Sequence, residues 1–414
     1  MSGRQIGLSD NPNVRRNWLL ISIITSLSIL CFFKYFNFFA DGLEGLLNTL
    51  GISASWPTLH IILPVGISFF TFQTMTYTID VYLGRMDSEK DAIKYFTYVA
   101  FFPQLVAGPI ERARNLLPQF QKSTCITWHE IYQGISLIIL GLFLKVVIAD
   151  SLAPSVDNIF MTVEDRNGGE LLLGAIYFAC QIYGDFCGYS TIAIGIAYIM
   201  GFRLMTNFQT PYFSTSIQKF WRNWHISLSS FFRDYVYIPL GGSKRTDLST
   251  KRNLLVTFTL SGLWHGANWT FLIWGGLHGL ALIAAVYLAR STYWLHEWLK
   301  IILGWVATMA VVLIGWVIFR SPDMGFAFDY IGRMVTDLQM PQSSRSALVY
   351  VLLVPLLDSL WTKDVRLDQG LGLYFLRAPV KIFIEALVLS AMLMMILSHL
   401  TINGGNNEFI YFQF

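Results

Sequence analysis

Charged side chains are scarce in this 414-residue chain: Asp, Glu, Lys and Arg make up only 13% of it, about half of the ~25% usual in a soluble domain. That shortage excludes disordered and ordinary soluble chains. Cysteine is sparse as well. Cys31, Cys125, Cys180 and Cys187 show no Cys-x-x-Cys spacing, so neither a metal site nor a disulfide framework is indicated, and buried free thiols are expected. No sign of charge dominates: 29 Lys+Arg stand against 26 Asp+Glu, a formal +3 spread over many short loops. Nucleic acid therefore finds no basic face. Also missing are a Gly-x-Ser-x-Gly elbow, a Walker loop and, after His296-Glu297, the second histidine of a zincin helix. Repeats, low-complexity tracts and linkers are lacking too, so residues 1–414 read as a single domain.

What is present is apolar. Hydrophobic residues make up 54% of the chain and the mean hydropathy is +0.51. Apolar runs at 18–40, 59–80, 131–149, 171–201, 253–289, 301–319, 346–361 and 382–402 approach or exceed the ~20 residues that a bilayer-crossing helix needs. The expected fold is all-α, a polytopic membrane bundle of about nine to eleven segments, re-entrant or interfacial helices included. The run 253–289 is long enough for two crossings, with Gly275-Gly276 as the natural turn. Segments 95–110 and 223–240 are aromatic but broken by Pro103, Gly108-Pro109, Arg233-Asp234 and Pro239. They read as re-entrant or interfacial, because irregular backbone at membrane depth survives only inside protein or against water. Arg4, Arg15 and Arg16 precede an apolar run that lacks a small-x-small cleavage site, so that run reads as a retained membrane segment. Basic residues favour the cytoplasmic side. This assigns the loops with Arg112, Arg114 and Lys122, with Arg203, Lys219 and Arg222, and with Lys244, Arg245, Lys251 and Arg252 to the cytoplasm, and the acidic loop 150–170 and the end 403–414 to the outside.

Polar groups are costly in such a protein, and each invites a functional reading. Lys219 to Tyr235, read as one helix, places Phe220, Trp224, Leu228, Phe231 and Tyr235 on one face and Arg222, His225, Ser229 and Arg233 near another. On periodicity alone, a helix lying at the interface with aromatic and Arg anchors is favoured over a catalytic role. In Ser261 to Trp269, His265 falls some twelve residues into a span, roughly 18 Å deep at ~1.5 Å per residue. Ser261 and Asn268 share its helix face. The imidazole is suited either to interhelical hydrogen bonding or to general-base work. Gly262 and Gly266 remove bulk beside the ring, which would let an acyl chain approach. On one straight helix His278 would stand ~20 Å from His265, so it reads as structural. Gln181, Asp185 and Tyr189 align as a polar seam with Lys145 as a candidate partner.

Together, Phe-Trp-Arg-Asn-Trp-His-Ile-Ser-Leu-Ser (220–229), Arg-Asp-Tyr (233–235), Gly-Leu-Trp-His-Gly-Ala-Asn (262–268) and Phe-Ile-Tyr-Phe-Gln-Phe (409–414) resemble motifs of the membrane-bound O-acyltransferase family, most closely its alginate O-acetyltransferase branch. Leu-Pro-x-Gly-Ile-Ser-Phe (63–69), Phe-Pro-x-Leu-x-Ala-Gly-Pro (102–109) and Asp-Phe-x-Gly-Tyr-Ser (185–190) match too. Relatives of this branch usually begin with additional membrane segments, and carry Ser and Asp where Cys187 and Thr191 stand here. The resemblance implies a helical bundle with a funnel, in the bacterial inner membrane. His265 matches the family's catalytic histidine and His225 its upstream polar position. Trp264, Asn268 and Gly266 are candidate substrate contacts, with Arg222 and Arg233 for donor phosphates. The implied reaction passes an acetyl group from acetyl-CoA or an acyl carrier to an exported polysaccharide such as alginate, with extracytoplasmic acetyltransfer proteins and membrane lipids as partners and no tightly bound cofactor. D-alanyl transfer to teichoic acid is the alternative within the class, and a polysaccharide or lipid transporter or flippase the alternative outside it.

Overall fold

In the computed structural model, residues 1–53, 66–105, 108–122, 124–244, 246–291, 296–337, 347–361 and 378–403 are described, with a few isolated positions between them. Every regular element among them is helical. A helix satisfies its own backbone polar groups, which lipid cannot do. The order is α1 (Ser2–Leu8), α2 (Pro12–Thr49), α3 (Ile67–Tyr82), α4 (Ala92–Val99), α5 (Ala113–Leu116), α6 (Trp128–Leu142), α7 (Asp150–Met161) and α8 (Gly168–Ile199). There follow α9 (Ile217–Asn223), α10 (Ile226–Phe232), α11 (Asp247–His265), α12 (Trp269–Ser291), α13 (Glu297–Arg320), α14 (Met324–Thr336), α15 (Leu348–Trp361) and α16 (Ala378–Asn403).

Among the described residues six helices are long and apolar enough to cross a membrane: α2, the continuous unit Trp128–Met161, α8, α12, α13 and α16. The other expected segments form shorter or more polar helices, α3, α11 and α15. A π-helical turn at Phe143–Ala149 joins α6 to α7, so the acidic loop expected over 150–170 is mostly helix, kept intact through Pro154 up to Met161. The start of run 59–80, residues 106 and 107 in segment 95–110, Arg245 and the C-terminal motif lie outside the described residues.

α8 is the buried axis of the bundle. It packs on α6 through paired glycines: a Cβ on Gly141 would meet the Gly188 carbonyl oxygen at 2.6 Å, and one on Gly195 the Gly134 oxygen at 2.6 Å. Small residues let helix backbones approach this closely where lipid offers no hydrophobic drive to associate. The expectation for the thiols holds only in part. Cys180 is buried and Cys187 partly so on α8, whereas Cys31 and Cys125 are exposed, Cys31 because most of α2 faces outward.

The run 253–289 does turn, but nine residues earlier than expected. α11 ends at His265 and α12 starts at Trp269, while Gly275 and Gly276 lie inside α12. The two helices form an antiparallel hairpin. Its closeness explains the glycines: a Cβ on Gly262 would stand 2.1 Å from the Phe271 oxygen, and one on Gly275 2.2 Å from the Phe258 oxygen.

Candidate active site

His265 is the last residue of α11. The end of a helix leaves its final carbonyls without intrahelical partners, and here α2 supplies donors. The Lys34 ammonium donates to the carbonyls of Trp264 and His265, each at 2.7 Å, and the Tyr35 hydroxyl to that of Leu263 at 2.5 Å. Lys34 lies about 33 Å from the start of α2 and about 22 Å from its end at ~1.5 Å per residue. His265 is therefore level with the interior of that long helix, away from both its ends. The helix break takes Asn268 off the face of Ser261 and His265. Its carboxamide accepts from the Thr270 amide at 3.0 Å and donates to the Pro322 carbonyl at 2.8 Å, capping α12 and tying it to the turn after α13. Gly266 and Gly262 do not leave open space toward α12. A Cβ on Gly266 would meet the Phe271 ring at 2.0 Å, so the bulk these residues lack is taken up by the hairpin's own packing.

The helix expected over 219–235 is also broken, and the break serves His225. Trp224 is extended, His225 takes a left-handed backbone at φ 43°, ψ 56°, and α10 begins after it. Left-handed backbone is uncommon for a residue with a Cβ and persists when the surroundings enforce it. Asn207 supplies the enforcement. Its carbonyl accepts from the Ile226 amide at 2.9 Å, its side-chain oxygen from the Ser227 amide at 3.2 Å and hydroxyl at 2.8 Å, and its own amide donates to Ser190 at 3.1 Å. The turn aims His225 inward, 1% exposed, edge-on to Phe186 at 4.6 Å. Neither of its ring nitrogens has a hydrogen-bond partner among the described residues.

These breaks bring three histidines into one row. His225 lies 6.0 Å from Trp264, Trp264 5.0 Å from His265, His265 5.1 Å from Trp274, and Trp274 4.8 Å from His278. Phe319 closes on His265 at 5.3 Å. The last two His–Trp distances bound the separation of His265 and His278 at about 10 Å, half the straight-helix expectation, because the hairpin folds α12 back along α11. Arg222 and Arg233 stand apart from this row. Both are exposed, and Arg233 pairs with Asp234 at 2.7 Å. The seam on α8 does meet its candidate partner: Lys145 bridges Asp185 and Asp150, each at 2.7 Å. Chemically, the row holds imidazoles behind aromatic walls. One can take a proton from a hydroxyl where bulk water is excluded.

The sequence profile of MBOAT, the membrane-bound O-acyltransferase family, matches residues 85–320, a stretch containing all three histidines. This chain belongs to that family. Among MBOAT relatives, the chain is 43% identical over 76% of its length to a protein of Azotobacter vinelandii named a probable alginate O-acetylase, AlgI, of which it covers 62%. It is 36% identical over 78% of its length to a peptidoglycan O-acetyltransferase of Helicobacter pylori, of which it covers 66%, and 28% identical over 66% to a teichoic acid D-alanyltransferase of Bacillus subtilis, of which it covers 75%. The chain thus spans somewhat under two thirds of the length of the first of these MBOAT proteins. It is a multi-pass membrane protein, as the family and the six apolar helices require.

Sequence reasoning missed Lys34, Asn207, Trp274 and Phe319. Lys34 did carry a signal, as the only charged residue between Arg16 and Asp41. A cation alone in a membrane run needs a partner. The other three are uncharged residues whose positions depend on where distant helices pack.

Proposed function

We propose that the chain is an O-acetyltransferase that passes an acetyl group from a thioester donor, acetyl-CoA or an acyl carrier, towards hydroxyls of an exported polysaccharide such as alginate. The observation that carries this reading is the buried row of His225, Trp264 and His265 in a chain similar to an alginate O-acetylase and a peptidoglycan O-acetyltransferase. In the proposed step the acceptor oxygen attacks the thioester carbonyl while a His265 ring nitrogen takes its proton. The carbon–sulfur bond then breaks, and the departing thiolate takes the proton. Imidazole can serve first as base and then as acid in this way. His225 and Trp264 are the proposed substrate neighbours, Asn268 and Gly266 shape the turn that carries His265, and the exposed Arg222 and Arg233 are proposed to meet donor phosphates. Extracytoplasmic proteins would complete delivery to the polymer.

The likeness to the D-alanyltransferase supports a second reading, transfer of D-alanine from a carrier to teichoic acid. Full-length protein in lipid nanodiscs, given acetyl-labelled CoA thioester and mannuronate oligomers, tests both. Acetyl release or transfer that falls by about 10²–10⁴ in a normally inserted His265→Ala variant supports acetyl transfer through His265. Undiminished turnover in that variant refutes the assignment, and turnover of only a D-alanyl carrier selects the second reading.

A further inference from the structure

A positioning role for Lys34 emerges from the contact between α2 and the tip of the α11–α12 hairpin. α2 is otherwise an outward-facing helix whose only buried residues are Ser22 and Leu30. A single cation in its apolar stretch is expensive at membrane depth, and a helix serving only as an anchor would not carry one there. The ammonium is spent on two consecutive carbonyls, those of Trp264 and His265, at 2.7 Å each. It also lies 5.8 Å from the Trp264 ring centre, within cation–π range. Tyr35 takes the preceding carbonyl, Leu263, and one turn further on Phe38 packs against Trp269 at 5.7 Å.

The physical need is plain. After His265 the chain leaves the helix through Gly266 at φ −166°, ψ 162°, so no following residue closes the last turn of α11 and its terminal carbonyls keep their partial negative charge. Without an external donor this turn would fray, and His265 is its final residue. We propose that Lys34, helped by Tyr35, is a positioning residue that locks the last turn of α11 and so fixes the direction of the His265 imidazole for acyl transfer. Lys34 lies outside the 85–320 stretch that carries the family match, so this places part of the site's support on the N-terminal helix. The inference rests on the acyl-transfer reading for its readout.

The test compares Lys34→Met, Lys34→Gln and Lys34→Arg with wild type as full-length protein in nanodiscs, scoring kcat and KM for the thioester per folded molecule. Misplacing a reacting group by about 1 Å can cost on the order of 10²-fold. Lys34→Met should therefore lose about 10–100-fold in kcat with KM within about twofold of wild type, Lys34→Gln should lose less, and Lys34→Arg, which can still reach two carbonyls, should recover most of the rate. In a His265→Ala background, Lys34→Met should lower the residual rate no further, as expected when one residue acts through the other. Wild-type kcat per folded molecule in Lys34→Met or Lys34→Gln, or an undiminished effect of Lys34→Met on top of His265→Ala, overturns the proposal. If His265→Ala itself keeps full activity, the acyl-transfer assignment fails independently of Lys34.

Discussion

Gly275 and Gly276 are adjacent in sequence, both helical, and should respond to alanine in opposite directions. A Cβ on Gly275 would stand 2.2 Å from the Phe258 carbonyl oxygen and 3.0 Å from the Thr259 Cα, both backbone atoms of α11, whereas a Cβ on Gly276 meets nothing within 4 Å. Restoring an ordinary 3.4 Å contact at Gly275 requires the two helices to part by about 1.2 Å. Backbone cannot rotate out of the way as a side chain can, so this overpacking should cost about 1–3 kcal/mol. At Gly276, alanine removes the helix penalty of glycine and should gain about 0.5–1 kcal/mol. Thermal melting in detergent reads the difference, at roughly 2–4 °C per kcal/mol or less for a chain this long: Gly275→Ala should melt several degrees low, and Gly276→Ala at or slightly above wild type. Activity gives a second reading, since Trp274 directly precedes Gly275 and sits 5.1 Å from His265. A shift of about 1 Å there should reduce turnover of the folded Gly275→Ala protein by up to about 10²-fold. Equal melting of the two variants would refute the hairpin geometry. Equal damage to both would restore the Gly-Gly hinge that the sequence suggested.

Asn207→Ala removes two bonds to Ser227 and one to Ser190 and should destabilise by about 1–3 kcal/mol, with turnover lowered as in His225→Ala; a stable variant of full activity would show that the His225 turn holds without it. Lys145→Met leaves Asp185 and Asp150 without their shared cation and should cost about 3–5 kcal/mol, visible as a lowered melting temperature that Lys145→Met/Asp185→Asn partly recovers; no recovery would mean that the charge of Asp185 is not what suffers. Among the histidines, activity should fall most in His265→Ala, less in His225→Ala and least in His278→Ala, and kinetics with a reversed order would reassign the base. Single cysteines in 243–252 should label from the cytoplasm and in 162–167 from outside, and labelling of both from one side would overturn the charge-based topology.

Much of this protein is set by composition and spacing. A charge content of 13% with repeated apolar runs leaves only a helical membrane bundle, because lipid satisfies no backbone hydrogen bond. His225 and His265 stand out for the same reason, as polar groups that membrane depth makes costly, and Lys145 and Asp185 stand out as charges in need of a partner, although spacing alone does not pair them. Periodicity could not place the breaks. It extended a helix through His225, where hydrogen bonds accepted by Asn207, 18 residues earlier, stabilise a left-handed turn. It assigned the hairpin to Gly275-Gly276, two residues that look alike in sequence but differ in what faces them: the backbone of α11 for one and open space for the other. Those two breaks decide the site, by folding Trp274 and His278 back towards His265 and leaving His265 on a helix end that Lys34, 231 residues away, holds by its carbonyl. Local propensity sets helices one at a time, whereas the orientation of each imidazole depends on contacts between helices remote in the chain, and only tertiary packing fixes those.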